Sequence, residues 1–474
     1  MKEIMLPELV VVFLLLLPII RPFIKGLRTQ EGLVWLPLIA LLVCVGLLPA
    51  YGFRLECIPL FVYVLVVHIR KLYTLISNKN RAYIAPYDEN LAPILLSLLF
   101  LSLGAGIALY FAPSVDTALL NEGVRSVRLI DGARNATIVA RVYETPDANV
   151  VKTADVRPVM LMVPPALGSA PSVDRLCGQL RDNGFTVISY SRLGFDAPAV
   201  SEDGKLRYPA FGDLMGLFNT FISGADTEKA NQRGKLIEEE RQRDIEFLLS
   251  SIRTGGLGLA PPASIILTAY DAGASALVML AASPAFVAAH PEVKGVIAVE
   301  SPLWSVYQTE TQAAPEHTSW WTRLLDNLAN LWPKPVQATG ELPRPAIPTL
   351  FLVSDKVTNQ KERNGRYSPI MRSLRLPSSL ALLIAVEGAG TLDYADYPAK
   401  YPLYSLFFSG RSRAAWHNKD FIAGTASLMG NFAALVLEQP IAGIRHWETG
   451  LSDKTYVEAG GGWNLPDARS ILLP

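Results

Sequence analysis

Residues 264–275 read S-I-I-L-T-A-Y-D-A-G-A-S and set an aspartate, Asp271, where a strand, a tight turn and a helix meet. The apolar, partly β-branched run Ile265, Ile266, Leu267 has strand character. After the turn, Ala274 to Ala282 is a helix-forming run. A strained turn of this kind, which lifts one side chain above a sheet, needs small residues on both sides because helix backbone and strand approach closely. Ala269 and Gly273 meet that need, and Asp271 stands at the apex.

The rest of the chain is unusually apolar. Of 474 residues, 50% are hydrophobic and 18% charged, with a mean hydropathy of +0.27. The excess lies in four N-terminal stretches, 5–20, 32–52, 55–69 and 91–112, and a helix crossing a bilayer needs about 20 such residues. They predict a four-helix transmembrane anchor over 1–112. The positive charges Arg21, Lys25 and Arg28 follow the first stretch, the reverse of a cleaved signal, so that segment is expected to stay in the mature protein. Those residues and Arg70, Lys71, Lys79 and Arg81 place two loops on the cytoplasmic side. Residues 113–474 are then expected outside the cytoplasm of a multi-pass protein of the cell (inner) membrane, with membrane lipid as the main partner and other membrane proteins as further candidates.

The formal net charge is zero, which offers no basic footprint for nucleic acid. Cys44 and Cys57 fall in or beside the apolar stretches, leaving Cys177 alone and no internal disulfide in the rest. No pair among His68, His290, His317, His417 and His446 has metal-ligand spacing, so neither metal nor other cofactor is expected.

From Arg125 to Thr145 the alternation of Val127, Leu129, Ile138, Ala140 and Val142 predicts two strands around a turn at Asp131 and Gly132. Pro158 to Val163 is apolar throughout, as suits a strand covered on both faces. A helix is expected from Ser172 to Asn183, ending at Gly184, with strands at Phe185–Tyr190, Val296–Val299, Thr349–Val353 and Ala381–Val386. The stretch Asp226 to Arg253 predicts an amphipathic helix whose charges form a solvated face. This alternation implies an α/β protein with a mostly parallel, doubly wound sheet.

The order of these elements, with the turn at Asp271, the stretch Y-S-R-L-G-F-D (190–196) and E-G-A-G-T-L-D-Y (387–394), resembles the α/β-hydrolase fold. Within it the chain is similar to platelet-activating-factor acetylhydrolases and dienelactone hydrolases over roughly 125–437. The resemblance implies a nucleophile, an acid and a histidine in that order; the matching positions are Asp271, Asp355 and Thr391. It also implies oxyanion donors from the loop after the Pro158–Val163 strand. There the sequence is Pro164-Pro165-Ala166-Leu167-Gly168, and proline has no N–H, which leaves Leu167 and Gly168 as donor candidates.

Threonine does not titrate near neutral pH and cannot serve as the general base that an acyl or alkyl aspartate requires. Changes at nucleophile, base and oxyanion loop together predict a degenerate triad and a binding or assembly module without hydrolysis. The alternative is a membrane-bound hydrolase of ester, lipid-like or small hydrophobic substrates with Asp271 as nucleophile, as in the haloalkane dehalogenases and epoxide hydrolases that this fold also hosts.

Four further features have plainer readings. His290 is expected to cap the helix after the elbow, and Asp393 and Asp396 to bind backbone N–H groups. Ser275 and Ser301 carry hydroxyls near the site but occupy no apex. In the insertion at about 305–345, Trp321, Leu324, Leu325, Leu328 and Leu331 recur at helical spacing and predict an amphipathic cap helix, packed on its own domain or touching lipid. The expected domains are thus 1–112, the hydrolase-like domain 113–437, and a tail 438–474.

Overall fold

The computed structural model describes residues 6–28, 30–51, 58–77, 91–110, 123–144, 158–165, 168–196, 199–200, 206–207, 227–301, 303, 343–364, 367–376, 380–386, 389–390, 393–396, 418–438 and 456–459. Leu167, Thr391, His317, His417, His446 and the expected cap helix lie outside these residues. Two compact units hold the described chain, one up to Tyr110 and the other from Gly123.

The first unit contains helices α1 (Leu6–Ile20), α2 (Leu36–Tyr51), α3 (Ile58–Ser77) and α4 (Leu91–Tyr110). Its interior is a small apolar cluster of Val11, Leu15, Ala40, Leu60, Val64 and Leu101. Gly104 lets α4 approach α3: a Cβ there would sit 3.4 Å from the Leu60 backbone. Among the described residues no helix is long and apolar enough to cross a membrane. The outward faces are nonetheless apolar. Every large hydrophobic side chain exposed among the described residues belongs to this unit, apart from Ile130 and Leu236.

The second unit is an α/β sheet. Strands β1 (Val124–Asp131) and β2 (Ala136–Tyr143) form the expected hairpin, turning through Asn135 at φ 49°, a conformation asparagine tolerates. Then come β3 (Val159–Val163), α5 (Asp174–Asp182), β4 (Thr186–Arg192), α6 (Thr227–Arg253), β5 (Ile265–Tyr270), α7 (Ala272–Ala281), α8 (Pro284–Ala289) and β6 (Val293–Val299). β7 (Thr349–Ser354), α9 (Ser368–Leu374), β8 (Ala381–Val386), α10 (Asn418–Leu437) and β9 (Tyr456–Ala459) complete it.

The spatial order is β1-β2-β4-β3-β5-β6-β7-β8-β9. β3 to β8 run parallel, whereas β2 lies antiparallel to β4 and β9 antiparallel to β8. One face of the sheet is covered by α6, α7, α8 and α9 through Leu248, Leu277, Phe286 and Ile370. The other is covered by α5 and α10 through Leu176, Ile422, Met429 and Phe432. Burial on both faces explains why β3, β5, β7 and β8 are buried at every residue and carry no alternation for the eye to find.

Three expectations are corrected. The charges of α6 do not all lie on a solvated face: Glu239, Arg243 and Glu246 are exposed as expected, but Glu238, Arg241 and Asp244 are fully buried, since residues three apart share the side that carries Ile245 and Leu248. The helix after the elbow is two helices. Ser283 caps the second, accepting from the Phe286 N–H, and Pro284 opens it; proline belongs in a first turn, where its missing N–H has no partner to lose. The tail is not outside the fold, because Tyr456–Ala459 joins the sheet.

Candidate functional site

The carboxyl ends of β3, β5, β6, β7 and β8 converge on one edge of the sheet, the edge where parallel α/β folds place ligands. Asp271 follows β5 with φ 55° and ψ −125°, a region costing about 1–3 kcal/mol for a residue with a side chain. Two backbone bonds hold it there: Asp271 N–H donates to the Val299 carbonyl at 2.9 Å, and Ser275 N–H to the Asp271 carbonyl at 3.1 Å. Gly273 is required at its position. A Cβ would lie 2.8 Å from Val163 Cγ1 and 2.9 Å from the Pro164 oxygen. The side chain of Asp271 is half-buried.

The oxyanion loop starts beside this turn, since Val163 pairs with Ala269. Of the two donor candidates, Leu167 lies outside the described residues. Gly168 is buried, and its N–H donates to the Pro165 carbonyl at 3.1 Å. That carbonyl also accepts from Arg241 Nη2 at 3.1 Å. Gly168 therefore spends its donor on the loop itself.

Asp355, where the resemblance led us to expect the acid, is the first residue after β7 and opens a short helical turn to Thr358; its side chain lies outside what is described. An acid the sequence reading missed stands one strand closer. Glu300 directly follows β6, next to the elbow strand, fully buried and at φ 52°. Its carboxylate accepts from the Ser354 N–H and, at 3.0 Å, from the Tyr367 hydroxyl. The signal was present: in V-I-A-V-E (296–300) a charge ends an apolar strand.

Around Thr391 the neighbouring aspartates bind backbone. Asp393 accepts from Gly390 N–H at 2.6 Å and Asp396 from Arg175 N–H at 2.9 Å. Tyr394 is buried and donates to the Val353 carbonyl at 2.7 Å. Burial, then the nearby Glu300 carboxylate, pushes its phenol well above the ordinary value. Ser275 and Ser301 are buried and 3.1 Å apart, and Ser275 Oγ accepts from the Leu303 N–H at 2.7 Å. These hydroxyls fasten the loop after β6 to α7. His290 meets Glu292 and Arg253 before β6 begins, at the edge opposite Asp271; six strand residues at about 3.3 Å each separate them by roughly 20 Å.

Behind the oxyanion loop lies a buried charge network. Arg241 pairs with Asp196 at 2.5 Å, both fully buried, and Asp196 also accepts from the Arg192 N–H. Asp244 meets Arg134 at 2.9 Å, and Glu240 meets Arg192 at 2.5 Å. Burial raises the Asp196 carboxyl to about 6 against the pull of Arg241. For Arg241, burial works against the charge, yet Asp196 and its neighbours leave the guanidinium above its ordinary value.

The sheet order, the strained turn after β5 and the helices on both faces define an α/β-hydrolase fold. A family model named TP_0976_N and described as an N-terminal domain matches residues 2–112. No curated protein matches the chain. Among solved structures, the chain is similar to a ferulic acid esterase from Streptomyces cinnamoneus at 14% identity, covering 73% of this chain and 98% of that one with a TM-score of 0.46. A carboxylesterase from a metagenomic library shares 16% identity over 65% of this chain and 91% of that one, TM-score 0.33. For a thioesterase domain from the curacin biosynthetic pathway the values are 14%, 60%, 99% and 0.31. Likeness at this level carries no argument about activity.

Proposed function

We propose that this chain is a membrane-anchored protein whose extracytoplasmic α/β-hydrolase-fold domain has lost the fold's acyl hydrolysis and serves as a binding or assembly module. The observation that carries this reading is the oxyanion loop: two prolines lack N–H groups and Gly168 donates its own to Pro165. A single oxyanion donor is worth about 3 kcal/mol of barrier, and a carboxylate at the apex would repel an oxyanion besides. Threonine at position 391 adds to the case. The membrane part is supported by the outward apolar faces of α1 to α4 and by the absence of any charged residue in the 20 residues of α4. Its natural partners are acyl chains. A reporter fused after Pro474 that scores cytoplasmic would overturn the topology.

A second reading is favoured by the strained backbone of Asp271. In it, a carboxylate oxygen attacks an electrophilic carbon of a lipid-like or small hydrophobic substrate, the leaving group departs with its electron pair, and water later cleaves the resulting enzyme ester (from an alkyl carbon) or mixed anhydride (from an acyl carbon). The similarity to acetylhydrolases and dienelactone hydrolases belongs with this reading. Intact mass spectrometry after incubation with activated esters, epoxides and haloalkanes, beside Asp271→Asn, separates the two. An adduct lost in Asp271→Asn shows a live nucleophile and overturns the first reading; no adduct and no turnover favours the first.

A further inference from the structure

We propose that Arg241 is a positioning residue that latches the Pro165 carbonyl and, through it, Gly168, holding the Gly168 N–H away from any ligand of Asp271. The inference deepens the reading above and rests on it only for the assignment of Asp271 as the group the loop attends.

Arg241 reaches the loop from α6, far from the loop in sequence, with no part of it exposed. One terminal nitrogen, Nη2, serves both Asp196 Oδ1 at 2.5 Å and the Pro165 carbonyl at 3.1 Å. The counter-ion is itself anchored, because Asp196 Oδ2 accepts from Arg192 N–H at 2.6 Å. The Pro165 oxygen thus takes two donors, Arg241 and Gly168, which fills its lone pairs. With that carbonyl drawn inward, Gly168 finds its acceptor within the loop. Turning the Gly168 N–H toward the elbow would break this bond while the guanidinium still held the carbonyl in place. Pro164 and Pro165 offer no N–H by which another arrangement of the turn could be secured. The latch is buried and charged at Asp196, and polar but uncharged at the Pro165 carbonyl. Such a link transmits position, not charge.

The test is amide hydrogen exchange on the full chain in detergent, with Gly168 resolved as the difference between overlapping peptides within 159–173. The double variant Arg241→Met with Asp196→Asn removes the pair without leaving either charge alone. The latch predicts Gly168 exchange faster by about tenfold or more, confined to the loop, because protection reports the local opening equilibrium. Glu240→Gln, which loosens the outer network but leaves the Arg241–Pro165 bond, is expected to leave Gly168 as in the parent chain. Should the double variant not fold, Arg241→Lys, whose single ammonium replaces the planar fork, gives the same readout. Unchanged Gly168 exchange overturns the proposal, and so does a rise shared equally by β3 and the 264–276 peptide, which would mean general loosening. The exchange readout does not depend on whether Asp271 forms an adduct, so failure of the latch and failure of the functional reading are told apart.

Discussion

Arg241 and Pro165, 76 residues apart in sequence, meet at 3.1 Å in the interior, so a helix on one face of the sheet fixes the backbone beside the elbow. Removing Arg241 alone leaves Asp196 and Asp244 buried without their shared cation. Breaking a buried pair in that way costs about 3–5 kcal/mol. Arg241→Met is therefore expected to lower the thermal midpoint sharply, and the double variant with Asp196→Asn to recover much of the loss. Equal melting of the single and double variants would contradict the pairing.

Gly273 and Gly106 make opposite predictions for the same change. At Gly273 an added methyl meets the Pro164 backbone oxygen at 2.9 Å, and overpacking of this kind costs about 1–3 kcal/mol. At Gly106 nothing lies within 4 Å, so Gly106→Ala removes only helix-breaking freedom and leaves stability equal or slightly higher. Thermal melting of the two variants compares them directly.

Asp271→Gly is expected to stabilise the domain. Glycine adopts φ 55° without the strain an aspartate bears there, and relief of about 1–3 kcal/mol exceeds the roughly 0.5–1 kcal/mol of added chain entropy. A higher melting temperature with complete loss of any Asp271 adduct is the expected pair of results. A lower one would mean that the carboxylate contributes more to folding than its backbone costs.

Asp196 predicts the pH response. Its folded value, raised by burial to about 6 from an ordinary 3.8, means the native state binds a proton that the unfolded chain has released between those values. Stability from this group is therefore greatest below pH 4 and declines as pH rises to about 6, with a change on the order of 3 kcal/mol. Asp196→Asn should flatten that part of the curve in chemical unfolding measured from pH 4 to 7. An Asp196→Asn curve that runs parallel to the parent curve through this window would refute the assignment.

Much of the fold was legible because parallel strands covered on both faces read as unbroken apolar runs: Met160–Val163 and Ile265–Leu267 announced themselves. The elbow was legible from residue size between an apolar run and a helix-forming run, with small Ala269 and Gly273 flanking Tyr270, Asp271 and Ala272. The inward charges of α6 were misread because burial depends on partners from distant segments: Arg134 and Arg192 neutralise Asp244 and Glu240, and no local pattern in 226–253 records that. Glu300 was passed over because the sequence reading looked for an acid after the next strand. Gly168 could be named as a donor but not seen to be spent, since hydrogen-bond direction is a property of the folded loop.

The last strand has a consequence for solubility. β8 is A-L-L-I-A-V, six apolar residues without a charge, paired on its outer side by β9 at Leu382 to Ala385. A bare edge of that composition is a template for pairing with other chains. Tyr456–Ala459 thus acts as a guard against self-association, and a chain cut after Leu437 is expected to keep its site residues and its two apolar layers yet gather into aggregates.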